Sequence, residues 1–279
     1  SRVPLRPARA TSRAITDMDF EALTLEQLRA RKSIKWNLYG EQVLPLWVAE
    51  MDVPLAEPVT AALAEAVAAG DTGYAFPVEL GPSFARFAGR YWNWDLDPTR
   101  CHPVADVMGG VRESLKVLTS PGDAVVICPP VYHPFFDAPP SVGRPVVTVP
   151  LLDGSLDLQG IEAALAAGAR AVLLSSPHNP TGRIWTVPEL EALDAVVRQH
   201  DAWVLADEIW SPLTLPGAIF TPYLASGNRR AVALVSASKA FNLAGLKAAL
   251  VVAGSPEVQE RLLRMPLDLP YQLGHLGAI

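Results

Sequence analysis

From residue 124 onward the chain alternates short apolar runs with longer amphipathic stretches. The runs "AVVIC" (124–128), "PVVTV" (145–149), "AVLLSS" (171–176), "AWVLAD" (202–207), "AVALVSA" (231–237) and "AALVVA" (248–253) have strand length and almost no internal charge. Strands buried on both faces read this way. Between some of them lie segments that open as helices do. "TVPELEALDAVVRQH" places Thr186 at an N-cap, Pro188 in the first turn and Glu189 at the capping-box position, and "SPEVQERLLRM" opens on Ser255 and Pro256. Strands alternating with helices predict βαβ units, and so an α/β fold with a largely parallel sheet and helices on both faces. Ligands of such sheets gather at the carboxyl ends of the strands.

Upstream, "LTLEQLRARKSIKW" (23–36) reads as a helix with a Thr24/Gln27 capping box, and "EPVTAALAEAVAAG" (57–70) as another. "RPARATS" (6–12) and "EQVLPLWVAEMDVPLAEP" (41–58) read as extended, proline-punctuated segments. There is no internal repeat or low-complexity tract. The last residues, "YQLGHLGAI", carry no cap, charged tail or breaker, so the chain ends inside an apolar helix or is cut short.

Composition narrows the function classes. Half of the 279 residues are hydrophobic, enough for a sizeable core in one large α/β domain with an appendage, or in two modest domains. A net charge of −6 argues against a nucleic-acid partner. Arg2, Arg6, Arg9 and Arg13 make the N-terminus locally basic, which reads as a flexible docking arm, with a targeting peptide as the alternative. No run of eighteen apolar residues occurs and nothing resembles a secretory signal, so a cytoplasmic protein without a membrane partner is expected. Cys101 and Cys128 form no C-x-x-C pair, and the five histidines show no H-x-x-x-H spacing, which argues against a disulfide framework or a metal centre.

Lysine is scarce, with five (Lys32, Lys35, Lys116, Lys239, Lys247) against eighteen arginines. Lys239 follows a buried run directly, where an amine loses hydration and must be paired, snorkel to solvent or do chemistry. In chain order the strand ends deliver Asn179 in the turn "PHNPTG", Asp207 and Glu208 in "DEI", then Ser238 and Lys239. Each alone has an ordinary reading as a turn residue, cap or surface ion pair. Together they bring an amide, a carboxylate and an amine to one edge of one sheet.

Six segments carry a resemblance: "PLWVAEMD" (45–52), "GYAFP" (73–77), "PPVYHPFF" (129–136), "SSPHNPTGRIW" (175–185), "DEIWSPLTLPG" (207–217) and "SASKAFNLAGLKAA" (236–249). In this order they resemble the fold-type I pyridoxal-5′-phosphate (PLP) enzymes, the aspartate aminotransferase superfamily, and within it the MalY/PatB-like cystathionine β-lyases. The resemblance implies that Lys239 anchors the cofactor and later acts as base, that Asp207 faces the pyridine nitrogen, and that Asn179 donates to the phenolic oxygen while Tyr132 stacks on the ring. It implies a phosphate site of Val107, Met108 and Gly109, read as a glycine turn entering the helix "DVMGGVRESLKVL", together with Ser236, Ser238 and Lys247. Tyr74 resembles a tyrosine that reaches the phosphate from a neighbouring subunit, implying a homodimer with a shared site; a buried tyrosine packed on Phe76 is the alternative.

Two positions depart from the family pattern. Trp210 stands where many aminotransferases have Tyr and the lyases commonly have His, and Glu50 stands where the branch more often has Asp. By the resemblance, residues 1–54 are an N-terminal arm and part of a small domain, residues 55–279 are the large PLP domain, and the C-terminal part of the small domain is absent. The expected reaction is α,β-elimination on cystathionine or a related cysteine S-conjugate, a small amino-acid substrate. An aminotransferase and a non-catalytic PLP-fold regulator are the alternatives.

Overall fold

The computed structural model describes residues 22–279. The arginine-rich arm and the extended "RPARATS" segment lie outside the described residues. The chain divides into two compact units, Ser1–Ala56 and Glu57–Ile279.

In the first unit the stretch expected as one helix is two, α1 (Leu25–Arg29) and α2 (Ile34–Asn37). The Thr24/Gln27 capping box is present, but Ser33 takes extended backbone (φ −64°, ψ 156°) and restarts the helix. Lys35 is 5 % exposed, and its ammonium donates to the Glu50 carbonyl and to Asp52 Oδ2, both at 2.7 Å. Trp36 Nε1 donates to Asp52 Oδ1 at 3.1 Å, and Arg31 donates to the carbonyls of Met51 and Val53. The "VAEMD" segment is therefore tied to α2 partly through main-chain oxygens. Position 50 makes its contact with Lys35 through a carbonyl, which aspartate or glutamate supplies equally.

The second unit begins with α3 (Glu57–Ala68) and α4 (Leu80–Trp92) and continues through β1 (Cys101–Val104), α5 (Val107–Leu118), β2 (Val125–Ile127) and β3 (Val146–Thr148). It then runs through α6 (Leu158–Ala166), β4 (Ala171–Ser175), α7 (Val187–Gln199), β5 (Trp203–Asp207), β6 (Ala231–Val235), β7 (Ala249–Ala253), α8 (Pro256–Leu262) and α9 (His275–Ala278). Every apolar run from 124 onward is a strand. At the start of α7 the Glu189 carboxylate accepts the N–H and the hydroxyl of Thr186, each at 2.8 Å.

Among the described residues the strands form one sheet in the order β1-β7-β6-β5-β4-β2-β3. Pairings from β3 to β6 are parallel, while β7 is antiparallel to both β6 and β1. Successive side chains face opposite ways. Val126, Val172, Val204 and Ala233 therefore pack with α6 and α7 residues on one face, and Ile127, Leu173, Leu205 and Leu234 with α5 and α8 residues on the other.

Strand β1 and helix α4 were not expected. "CHPV" carries a histidine and a proline, and its place is made by pairing with β7 at the sheet edge, where proline is tolerated. The "LGPSFARFAGRYW" of α4 holds two glycines and a proline; Pro82 falls in the first turn, where its missing N–H costs nothing.

The entry to α5 differs from the expected glycine turn. The helix already starts at Val107, with Asp106 as its N-cap, so Gly109 and Gly110 are helical. Gly110 serves close packing. A Cβ there would stand 2.9 Å from both Leu234 Cδ2 and Val251 Cγ2. Gly110→Val is expected to cost about 2 kcal/mol by overpacking, read as a lower urea midpoint at unchanged slope; an unchanged midpoint would mean that α5 can lift off the sheet freely.

Candidate functional site

The sheet topology brings the site together. The parallel strands β4, β5 and β6 end at Ser175, Asp207 and Val235 and release the segments bearing Asn179, Asp207 and Lys239 at one edge. Strand β7 runs the other way, so its beginning lies at this same edge, and β1, antiparallel to β7, ends there. Val104 pairs with Ala249, so Asp106, two residues beyond the first, stands opposite Lys247, two residues before the second.

Asp207 is 5 % exposed, and its Oδ1 accepts the Ile209 N–H at 3.1 Å. Burial pushes its carboxyl up to about 7, against the opposing pull of the Ile209 N–H and the nearby Lys239 ammonium. The carboxylate thus lies in a dry place, in the field of the amine. A cationic group beside it would restore its ionised form.

Glu208, one residue on, points to the other face of the sheet. Its Oε1 accepts the Tyr223 N–H at 2.6 Å, while Oε2 is buried without a hydrogen-bond partner. Burial raises it to about 8, with the Asp207 charge adding to the rise. Glu208 was expected at the strand end, with no role of its own. The alternation of a strand would have separated the two carboxylates.

Tyr132 closes another side. Its phenol is raised by burial and by the charges of Asp207 and Asp106, which places it near both, and its ring meets Phe135 edge-on at 6.0 Å. The Asn179 N–H donates to Ser175 Oγ at 3.1 Å, fixing the turn, and Asn179 and Trp210 line one pocket with Pro177, Leu213 and Leu215. Trp210 is thus a wall residue beside the amide. Tyr74 is 86 % exposed and Phe76 is 77 % exposed, so the alternative of a buried Tyr74 packed on Phe76 does not hold.

At the far end, Val107, Met108 and Gly109 are the first turn of α5, and first-turn N–H groups have no partner within their own helix. Asp106 takes one of them, its Oδ1 accepting the Gly109 N–H at 2.7 Å, and its Oδ2 accepts the Lys247 ammonium at 3.0 Å. No role was expected of Asp106. An aspartate three residues before a glycine at the opening of an amphipathic helix is a recognisable N-cap signal.

Ser236 also differs from a free hydroxyl donor. It donates to the Ala248 carbonyl at 2.7 Å and accepts the Ser238 N–H at 3.1 Å, tying the Lys239 turn to the start of β7. Cys101 and Cys128 are free thiols, and burial pushes each up to about 12, leaving them unreactive. Among the described residues no group of His, Cys, Asp and Glu is arranged for a metal ion, and no helix is long and apolar enough to cross a membrane.

The residues present fit the PLP that the resemblance implies. A buried carboxylate of raised pKa suits a protonated ring nitrogen, Lys239 stands beside it, and the first turn of α5 offers N–H groups for an anion.

Comparison with known proteins agrees. The pattern of the family described as "Aminotransferase class I and II" matches residues 56–268. The chain is 45 % identical over 276 residues to a Mycobacterium leprae (strain TN) protein named "Putative cystathionine beta-lyase", covering 95 % of this chain and 68 % of that one. It is 31 % identical over 268 residues to cystathionine beta-lyase PatB of Bacillus subtilis (strain 168), covering 91 % and 68 %. Among solved structures, a PLP-dependent beta-cystathionase of Corynebacterium diphtheriae, itself described as "putative", superposes with a TM-score of 0.86 at 30 % identity, over 92 % of this chain and 68 % of that one. The chain thus spans about two thirds of the length of these relatives. It belongs to the aminotransferase class I and II family, in the branch that holds the cystathionine β-lyases.

Proposed function

We propose that this chain carries the cofactor-binding part of a PLP-dependent carbon–sulfur β-lyase that acts on cystathionine or a related cysteine S-conjugate. The observation that carries the reading is the buried Asp207 in the field of Lys239, at the sheet edge shared with Asn179 and Tyr132. The names of the relatives support the substrate class. The same reading takes residues 1–54 as an arm and part of a small domain, residues 55–279 as the large domain, and the molecule as a cytoplasmic homodimer in which exposed Tyr74 serves the neighbouring site.

Bound PLP supplies the electron sink that lets the Cα–H bond of an amino acid ionise. Lys239, in a partly buried turn, would anchor the cofactor and serve as the base that takes the Cα proton of the substrate. Asp207 would keep a proton on the ring nitrogen by its charge. Asn179 would hold the phenolic side through its amide, Tyr132 would cover a ring face, and Trp210 would wall the pocket against water. Loss of the Cα proton and cleavage of Cβ–S release the thiol; the aminoacrylate left behind hydrolyses to pyruvate and ammonia.

Purified protein supplied with PLP and cystathionine is expected to release pyruvate and thiol in equal amounts without a keto acid. Amino transfer that depends on an added keto acid, with no pyruvate from cystathionine, would instead establish the aminotransferase reading that the family description favours.

A further inference from the structure

One acidic residue stands where an anion is to bind. We propose that Asp106 is a resident competitor for the cofactor's phosphate, holding the Lys247 ammonium and the Gly109 N–H that the phosphate end would otherwise use, and so limiting how tightly the cofactor is held. This inference rests on the cofactor reading above.

The contact is built by the fold. Asp106 and Lys247 are 141 residues apart and meet because the antiparallel register of β1 and β7 sets them opposite one another. Lys247 has little backbone freedom to leave, since it sits in the left-handed region (φ 55°, ψ 62°) with its carbonyl accepting the Gly274 N–H at 3.0 Å. Asp106 is held in turn by its bond to Gly109. Burial works to raise its carboxyl, but the Gly109 N–H and Lys247, with Arg112 adding its charge, outweigh it and keep the group below the usual aspartate range, hence ionised at neutral pH.

A phosphate seated on the Val107 and Met108 N–H groups would lie within one helical turn of this carboxylate. Like charges at that distance repel, and the half-exposed position weakens the repulsion without abolishing it. Lys247 has three N–H donors and can serve both anions, so Asp106 weakens binding and does not block it. Occupancy of the site then follows the supply of free cofactor more closely than a neutral cap would allow.

The test replaces the charge and keeps the cap. Asn accepts the Gly109 N–H as Asp does, so Asp106→Asn preserves the helix start, and Asp106→Ser is a second neutral cap. Titration of the cofactor-free protein is expected to show about tenfold tighter PLP binding in Asp106→Asn. Binding of pyridoxal, which has no phosphate, should change less than about twofold. Inorganic phosphate should raise the melting temperature of the variant more than that of the wild type. Equal or weaker PLP binding by both variants overturns the proposal and makes Asp106 an orienting partner of Lys247. Equal tightening for pyridoxal and PLP also overturns it, since the effect would not act on the phosphate. A wild-type protein that takes up no PLP, with no borohydride-fixed mass on Lys239, overturns the cofactor reading and this proposal with it.

Discussion

Lys239→Ala is expected to abolish pyruvate release from cystathionine, by about 10⁴-fold or more, because one side chain supplies both the anchor and the base. Borohydride reduction followed by peptide mapping should show a PLP-sized mass gain on the peptide of residue 239 in the wild type and none in the variant. Lys239→Arg separates charge from chemistry. It keeps a cation beside the Asp207 carboxylate, which now feels the lysine's field, but a guanidinium stays protonated and is no nucleophile. The arginine variant should therefore fold as the wild type does, give a similar denaturation midpoint and remain inactive. Activity retained in either variant would remove Lys239 from the reaction.

Asp207→Asn is expected to lower kcat by about 10³-fold. The amide oxygen can still accept the Ile209 N–H, now at 3.1 Å, so the turn should survive. What is lost is the negative charge that keeps a ring nitrogen protonated. The same substitution has an opposite effect on stability. Asp207 is raised by burial from 3.8 to about 7 in the folded protein, so the folded state binds the proton more tightly than the unfolded chain. The stability this contributes is complete below pH 4 and is lost as the pH climbs through 7. In the cofactor-free protein Asp207→Asn should therefore be more stable than the wild type at pH 8 and nearly equal to it at pH 4, by urea denaturation at the two pH values. A variant less stable at pH 8 would mean that the carboxylate is already well paired without the cofactor.

The six apolar runs were legible because a strand buried on both faces has no polar face to confuse the pattern. Thr186, Ser255 and the Thr24/Gln27 box were legible because caps act over three or four residues. Lys239, Asp207 and Asn179 stood out for a related reason: each lies at the end of a buried strand or within four residues of it, and parallel strands share one carboxyl edge. Elements whose local preferences are weak were not legible. β1, with His102 and Pro103, is a strand only because β7 pairs with it, and α4 tolerates Gly81 and Pro82 because they fall in its first turn.

The sequence by itself determined the order of strands and helices along most of the second unit and the residues that reach the sheet edge, since both follow from local periodicity and strand direction. Only the tertiary structure decided that β7 reverses, that β1 lies beside it, and that their register sets Asp106 against Lys247. It also decided that Glu208 faces away and is buried, while Asp207 lies within reach of the Lys239 charge, and that the Ser236 hydroxyl is spent on Ala248. These are pairings between residues far apart in the chain. No local pattern encodes them, because their energy depends on which surfaces the packed sheet leaves dry.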